Sequence, residues 1–264
     1  PGYLDFIAES RAALKVSDLA VVVVHATHGI EIGTSKVWNF AEEFGLPKVV
    51  VVNGIDAENA PYEPILEHLK ATFGARFFPI NIPTNPGPGY SEMLDVIRKT
   101  KLTYKTDGSG KYDEAKATGD EGEQVDQLHT LLIELVAESD DTLLEKFFGE
   151  GITEEELRGG LHKAFQSRTF IPVFFTFSET NVGVARLMDF ISKYASSPDD
   201  HMETVAQNID GEEVTISLDD KEAAAFVFKT INESHIGELS FVKVLSGTLK
   251  SGEDIVNANT DEPQ

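Results

Sequence analysis

The chain has 264 residues, which suffice for one large domain followed by a smaller one. Its 22 Lys and Arg residues are outnumbered by 45 Asp and Glu residues, and the formal charge of −23 argues against an extended surface for DNA. The absence of cysteine excludes disulfides and thiolate metal sites, and no apolar run approaches the length of a membrane span, so we expect no membrane partner.

The first third of the sequence alternates predicted helices and strands. An apolar stripe predicts a helix that ends before Ser17, and a second helix is capped by Thr34 or Ser35 and ends at Gly45. The other elements predicted here are a strand over 19–26, a strand over 48–52, a helix over 62–73 and a strand over 77–82. This order of helix and strand is typical of a doubly wound, mainly parallel sheet.

Residues 83–168 interrupt the alternation. The predicted elements are a short helix (90–98), a hairpin of two strands (100–104 and 111–115) and helices around 125–135 and 143–148. A last helix is opened by a capping box of Thr153 and Glu156. We therefore expect an α+β insertion within the sheet.

The negative charge is concentrated in this insertion. Residues 107–158 hold 16 acidic and 4 basic side chains. Such a segment forms either a solvated face that keeps the protein soluble or a docking surface for a basic partner, and the sequence leaves both open.

Beyond the insertion, a strand over 170–175 and a helix around Leu187 resume the α/β pattern. Residues 196–200 have the composition of a linker. Beyond them the apolar residues recur with a period of two, which predicts strands over 223–231, 239–245 and 255–258. We expect an α/β domain over residues 1–200, with its insertion at about 83–168, and the start of a β-barrel domain over 201–264.

The apolar run from Lys48 to Val52 ends in two polar side chains, Asn53 and Asp56. Four consecutive valines predict a strand that is buried on both faces, and ligands of parallel sheets bind beyond the carboxyl ends of the strands. A carboxylate there can accept hydrogen bonds from the N1–H and exocyclic amine of guanine, a donor pair that adenine lacks. The pattern N-x-x-D is weak alone, so a structural turn is the competing interpretation.

Two histidines, His25 and His28, flank the predicted end of the strand over 19–26. No carboxylate lies at metal-ligand spacing from them, so we expect partly solvated side chains and no metal site. Trp38 lies in a predicted helix and is interpreted as a packing residue.

Several segments together resemble the GTP-binding domain of elongation factor G, the ribosomal translocase. Pro1-Gly2 matches the end of its D-x-P-G motif, and Asn53-Gly54-Ile55-Asp56 falls where that family has N-K-M-D. Residues 153–157 and 171–173 are similar to its insertion and the following strand, and residues 245–252 are similar to its second, β-barrel domain. The resemblance covers essentially the whole chain and implies a fold of the P-loop NTPase type.

The resemblance also implies roles for individual residues. Asp56 would pair with guanine, and Asn53 would connect the base-binding loop to its neighbours. Phe177 and Ser178 align with the family pair whose backbone amides meet the guanine oxygen, and Gly2 belongs to the switch motif. Tyr3 stands at the position of the family's catalytic His, and Gly54 replaces a Lys that covers the base.

The implied function is that of a cytoplasmic translational GTPase, which uses GTP, GDP and Mg²⁺ and acts on the ribosome, both its RNA and its proteins. The G-x-x-x-x-G-K-[ST] motif would lie upstream of Pro1, since Gly110-Lys111-Tyr112 is no substitute for it. We therefore expect the 264 residues alone to be inactive in hydrolysis. The alternatives are a slow or non-hydrolysing module of the same fold that docks on ribosomes or another basic partner, and a purely structural acidic domain.

Overall fold

The computed structural model describes residues 3–58, 62–74, 76–138, 140–149, 151–208, 210–258 and 262–263. Two compact units are present. One comprises residues 1–7 and 19–196, and the other comprises residues 8–18 and 197–264. Gly2, one of the predicted site residues, lies outside the described residues.

The helices and strands occur in both units. The helices are α1 (Ile7–Lys15), α2 (Ile32–Glu43), α3 (Tyr62–Phe73), α4 (Gly119–Ala137), α5 (Asp141–Phe148), α6 (Glu154–Gln166) and α7 (Val184–Tyr194). The strands of the first unit are β1 (Ala20–His25), β2 (Lys48–Asn53), β3 (Phe77–Pro79), β4 (Asn81–Pro83), β5 (Glu92–Asp95), β6 (Thr100–Tyr104), β7 (Tyr112–Lys116) and β8 (Ile171–Thr176). Those of the second unit are β9 (Glu203–Gln207), β10 (Glu213–Ser217), β11 (Ala224–Glu233), β12 (Gly237–Ser246), β13 (Val256–Asn257) and β14 (Glu262–Pro263).

The first unit is built on a parallel sheet with the strand order β1-β2-β8-β3. The valines of β2 alternate between two hydrophobic cores, because successive side chains of a strand point to opposite faces. Val49 and Val51 pack in one core, whereas Val50 and Val52 pack in the other. The prediction of a strand buried on both faces is thus confirmed, and this strand carries Asn53 at its carboxyl end.

A second, antiparallel sheet has the order β4-β5-β6-β7 and includes the predicted hairpin, β6 with β7. The helix predicted over residues 90–98 is wrong, because this segment contains strand β5, which pairs with β4 and β6. The single strand predicted over 77–82 is two short strands, β3 in the parallel sheet and β4 in the antiparallel one. Helix α2 also begins earlier than predicted, with Glu31 as its N-cap and Thr34 as the other member of a capping box.

Helices α4, α5 and α6 complete the insertion. The capping box of Thr153 and Glu156 is confirmed: the Thr153 hydroxyl accepts from the Glu156 amide at 3.3 Å, and Glu156 accepts from the Thr153 amide at 3.0 Å. No helix among the described residues combines the length and the apolar character needed to cross a lipid bilayer.

Among its described residues, the second unit contains three antiparallel strand pairs, β9 with β10, β11 with β12, and β13 with β14. Residues 8–18, which include most of α1, belong to this unit. Within it, Lys229 pairs with Glu9 at 2.6 Å and Lys243 pairs with Asp18 at 2.8 Å.

Candidate nucleotide-binding site

Three strand ends meet at the carboxyl edge of the parallel sheet. Asn53, the last residue of β2, is in register with His25 of β1 on one side and with Thr176 of β8 on the other. The chain then turns through Gly54, whose φ of +83° lies in the left-handed region that favours glycine. The Gly54 amide donates to the Thr176 carbonyl at 3.0 Å, so the turn after β2 is fixed to the end of β8.

The Asn53 side chain strengthens this connection. Its Oδ1 accepts from the backbone amide of Ser178 at 3.0 Å and from the hydroxyl of Thr176 at 3.1 Å. Its Nδ2 donates to Oγ of Ser178 at 3.1 Å. An asparagine with these three bonds uses its side-chain amide to position the two loops. The structure therefore brings Asn53 and Ser178 together.

Asp56 follows in the same turn and is half-buried. The residue before it, Ile55, is fully buried, and its carbonyl accepts from the Gly87 amide at 2.8 Å, which fixes the backbone beside Asp56. Within the described part of the chain, the Asp56 carboxylate has no hydrogen-bond partner. It is therefore an acceptor on a well-held backbone that a ligand with two adjacent donors can use.

The loop after β8 is a tight turn. Phe177 and Val182 exchange both backbone hydrogen bonds at 3.0 Å, and the Asn181 amide donates to the Ser178 carbonyl at 3.3 Å. The amides of Phe177 and Ser178, for which the family resemblance implies contact with the guanine oxygen, are thus engaged within the protein.

Two other amides of this turn, those of Glu179 and Thr180, have no hydrogen-bond partner among the residues that the structure describes. The described part of the loop therefore retains two backbone donors. The sequence could not reveal them, because only the hydrogen bonds of the folded turn show which amides remain free.

Two further asparagines hold this loop in place. Asn81 of β4 bonds the backbone of Phe175 in both directions, donating to its carbonyl at 3.0 Å and accepting from its amide at 2.8 Å. Asn181 donates to the Gly108 carbonyl at 2.7 Å, which ties the loop to the β6–β7 turn. Gly183 follows, and a Cβ there would lie 2.7 Å from the Phe175 carbonyl oxygen, so only glycine fits.

Comparison with known proteins identifies the family to which this arrangement belongs. Residues 1–197 match the family model described as the elongation factor Tu GTP binding domain, and residues 222–264 match the one described as elongation factor G domain 2. The chain belongs to the elongation-factor GTPase family. The resemblance to an elongation factor G-like translational GTPase and the predicted fold class are confirmed.

A solved structure agrees with this result. A crystal structure of a protein from Thermus thermophilus is similar to this chain with a TM-score of 0.79 and 30% sequence identity. The similarity covers 96% of this chain, and the chain spans 36% of the length of that protein.

The remaining site residue that the sequence predicted is Tyr3. It precedes a short 3₁₀ turn, its carbonyl accepts from the Phe6 amide at 3.1 Å, and its side chain is 77% exposed. Among the described residues, no hydrogen bond joins it to Asn53, Asp56 or Ser178. Its role in catalysis stays a prediction.

The donor groups of the described residues do not form a metal site. The described residues contain no group of three or more His, Asp or Glu side chains placed to hold a metal ion. The polar groups of the site are one carboxylate, one amide side chain and two backbone amides, a set that suits a nucleobase and does not amount to a Mg²⁺ ligand set. No metal ligand is therefore assigned to these residues.

Proposed function

We propose that this chain forms the guanine-binding part of a ribosome-associated, cytoplasmic translational GTPase that resembles elongation factor G. The protein would couple the binding and hydrolysis of GTP to movement on the ribosome during elongation. The observation that carries the proposal is the Asn53 amide bonded to Ser178 and Thr176, three residues before Asp56, whose carboxylate has no hydrogen-bond partner in the described part of the chain. Family membership supports the same interpretation.

The chemistry of base selection follows from this geometry. Asp56 would accept from the N1–H and the exocyclic amine of guanine, while the amides of Glu179 and Thr180 would donate to its carbonyl oxygen. Adenine presents the opposite polarity at these positions, so it would leave polar groups of the site unpaired. A mismatch of this kind reduces affinity by roughly 10⁴-fold.

The domain organisation is part of the proposal. Residues 1–200 would form the GTP-binding domain with its insertion at about 83–168, and residues 201–264 would begin the β-barrel domain. The two family matches, over residues 1–197 and 222–264, support this division.

The experiment is equilibrium binding of a fluorescent GDP to the full-length protein, with unlabelled GDP and ADP as competitors. We expect GDP to compete and ADP to fail at a concentration about a thousandfold higher. Adding purified ribosomes to the GTP-bound protein then measures hydrolysis. Equal competition by the two nucleotides would contradict guanine selection, and hydrolysis that ribosomes do not accelerate would contradict the ribosomal role.

One observation favours a second candidate, a module that binds GTP and ribosomes with slow turnover or none. The side chain of Tyr3, at the position of the family's catalytic His, is exposed and has no hydrogen-bond partner among the described residues. A neutral phenol can orient water but cannot supply positive charge near the phosphates. The discriminating result is ribosome binding that requires GTP while GTP itself stays intact over many minutes.

A further inference from the structure

The space above Gly54 is already occupied by another residue. A Cβ built on Gly54 would lie 2.8 Å from Nε2 of His25, 3.2 Å from Cε1 and 3.3 Å from Cδ2. Three atoms of one imidazole ring therefore face the same point on the backbone. The ring lies where the side chain of residue 54 would begin, which is between the two polar residues of the turn, Asn53 and Asp56.

The His25 ring is held in this position from its other side. The Thr27 amide donates to Nδ1 at 3.2 Å, and the Thr27 hydroxyl lies 2.9 Å from the same nitrogen. The ring also stacks on His28, with 4.6 Å between centroids and an interplanar angle of 28°. Since Nδ1 accepts from a backbone amide, the neutral ring carries its proton on Nε2, the nitrogen nearest Gly54.

The backbone fixes the ring relative to the site as well. His25 ends β1 in register with Asn53, and the Ala26 amide donates to the Asn53 carbonyl at 2.8 Å. The residue is nevertheless exposed, so a preoriented aromatic ring, whose Nε2 has no hydrogen-bond partner among the described residues, stands at the surface of the turn that carries Asp56. An exposed, fixed ring of this kind is a suitable stacking surface for a purine.

We propose that the His25 imidazole forms one wall of the guanine-binding site, filling the space that Gly54 leaves without a side chain and packing against the purine that Asp56 selects. The inference rests on the proposed function, since it needs a guanine nucleotide at this turn. It gives His25 a binding role in place of the solvated side chain that the sequence suggested. It also explains Gly54 sterically, because a larger residue there would displace the ring.

The test measures GDP affinity in the full-length protein for four forms: wild type, His25→Ala, His25→Phe and His68→Ala. His68 is the matched control, since it is an exposed histidine of α3 whose Nδ1 lies near Gly29 and not near Gly54. We expect His25→Ala to weaken GDP binding about tenfold, and His25→Phe to stay within about threefold of wild type because an aromatic face remains. His68→Ala should bind as the wild type does.

A second measurement does not depend on any variant being folded. In the wild-type protein, saturating GDP should shift the NMR signals of the His25 ring protons through the ring current of guanine, while those of His68 stay in place. An unchanged His25 signal, or a His25→Ala variant that binds within about twofold of wild type, would overturn the inference while leaving guanine binding intact. A wild type that binds no guanine nucleotide would instead overturn the proposed function and this inference with it.

Discussion

Asn53 and Ser178 are 125 residues apart in the sequence and bond to each other twice, Oδ1 to the backbone amide at 3.0 Å and Nδ2 to Oγ at 3.1 Å. These two bonds join the turns that follow two neighbouring parallel strands, β2 and β8. One side chain thus fixes the turn that carries Asp56 relative to the second turn. The proposed selectivity for guanine depends on this arrangement.

Removing the Asn53 side chain should therefore reduce both stability and guanine affinity. In Asn53→Ala, the amide of Ser178 and the hydroxyl of Thr176 lose their partner, and we expect the free energy of unfolding to fall by about 1–3 kcal/mol. GDP affinity should fall by more than about tenfold, because the two turns are no longer held together. Chemical denaturation and a GDP titration of the folded variant measure the two effects.

The control for this variant is Asn208→Ala in the second unit. Asn208 also makes three hydrogen bonds within one loop, to the amides of Asp210 and Glu212 and to the Glu212 carboxylate. The Asn208→Ala variant should reduce the stability of the second unit and leave GDP affinity unchanged. Equal loss of GDP affinity in both variants would show that the effect of Asn53 is not specific to the site.

The sequence predicted those elements whose pattern of apolar residues fits either a helix or a strand, but not both. The β2 strand was clear because four β-branched residues stand between Pro47 and Gly54. The segment 90–98 was misjudged because neighbouring residues are buried in different cores: Met93 packs in one and Leu94 in the other. A strand buried on both faces has no alternation of apolar and polar residues, so its short apolar run also fits a helix.

The candidate site was predicted to a similar extent. Asn53 and Asp56 followed from the position of polar residues after a strand, a rule that needs no contacts. The free amides of the second turn and the position of His25 over Gly54 could not be predicted, because both depend on hydrogen bonds and packing between segments that are distant in sequence. A short motif such as N-x-x-D does not specify contacts of this kind.

The ion pair between Asp95 and Arg186 provides a prediction about stability. Both side chains are buried, and Oδ2 of Asp95 lies 2.6 Å from the guanidinium, while Oδ1 accepts from the Arg98 amide at 2.8 Å. Asp95→Ala leaves the buried guanidinium with Asp189, at 2.7 Å, as its remaining carboxylate partner among the described residues, so we expect a loss of about 1–3 kcal/mol in the free energy of unfolding.

Denaturation by urea checks this value, with Glu67→Gln as the control. Glu67 pairs with Lys70 at 3.0 Å on an exposed face of α3, and its loss should change stability by less than about 0.5 kcal/mol. If Asp95→Ala were as stable as the control, the buried pair would not contribute to the fold as described.

We expect the stability of the insertion to depend on pH because of the Glu156 carboxyl. Its contacts with Lys146 and with Thr153 lower the pKa of its carboxyl from 4.5 to about 2. Because the folded pKa is depressed, the stabilisation is fully present above pH 4.5 and is lost as the pH falls from 4.5 towards 2. Glu156→Gln should therefore unfold at a lower temperature than wild type near neutral pH, with a difference that narrows on acidification.

Thermal unfolding at several pH values measures this difference. Glu155→Gln is the matched control, since Glu155 is exposed in the same turn and its carboxylate has no hydrogen-bond partner among the described residues. A difference in unfolding temperature between wild type and Glu156→Gln that stays constant with pH would contradict the lowered pKa of Glu156.

Tyr3 provides a prediction about the rate of hydrolysis. A neutral phenol contributes less to orienting and polarising the attacking water than an imidazole, so Tyr3→His should hydrolyse GTP on ribosomes at least about tenfold faster. Single-turnover hydrolysis by the full-length protein measures the rate, and Tyr3→Phe tests whether the hydroxyl contributes. A wild type already as fast as Tyr3→His would show that this position does not limit the reaction.

The central claim, that Asp56 reads guanine, is tested most directly by exchanging its carboxylate for an amide. In Asp56→Asn, one of the two acceptors becomes a donor, which suits the 2-carbonyl of xanthine and opposes the exocyclic amine of guanine. Competition binding with GDP and XDP on the full-length protein should show a change in the ratio of the two affinities on the order of 10⁴, in favour of XDP. A variant that keeps the wild-type preference for GDP would show that Asp56 does not contact the base.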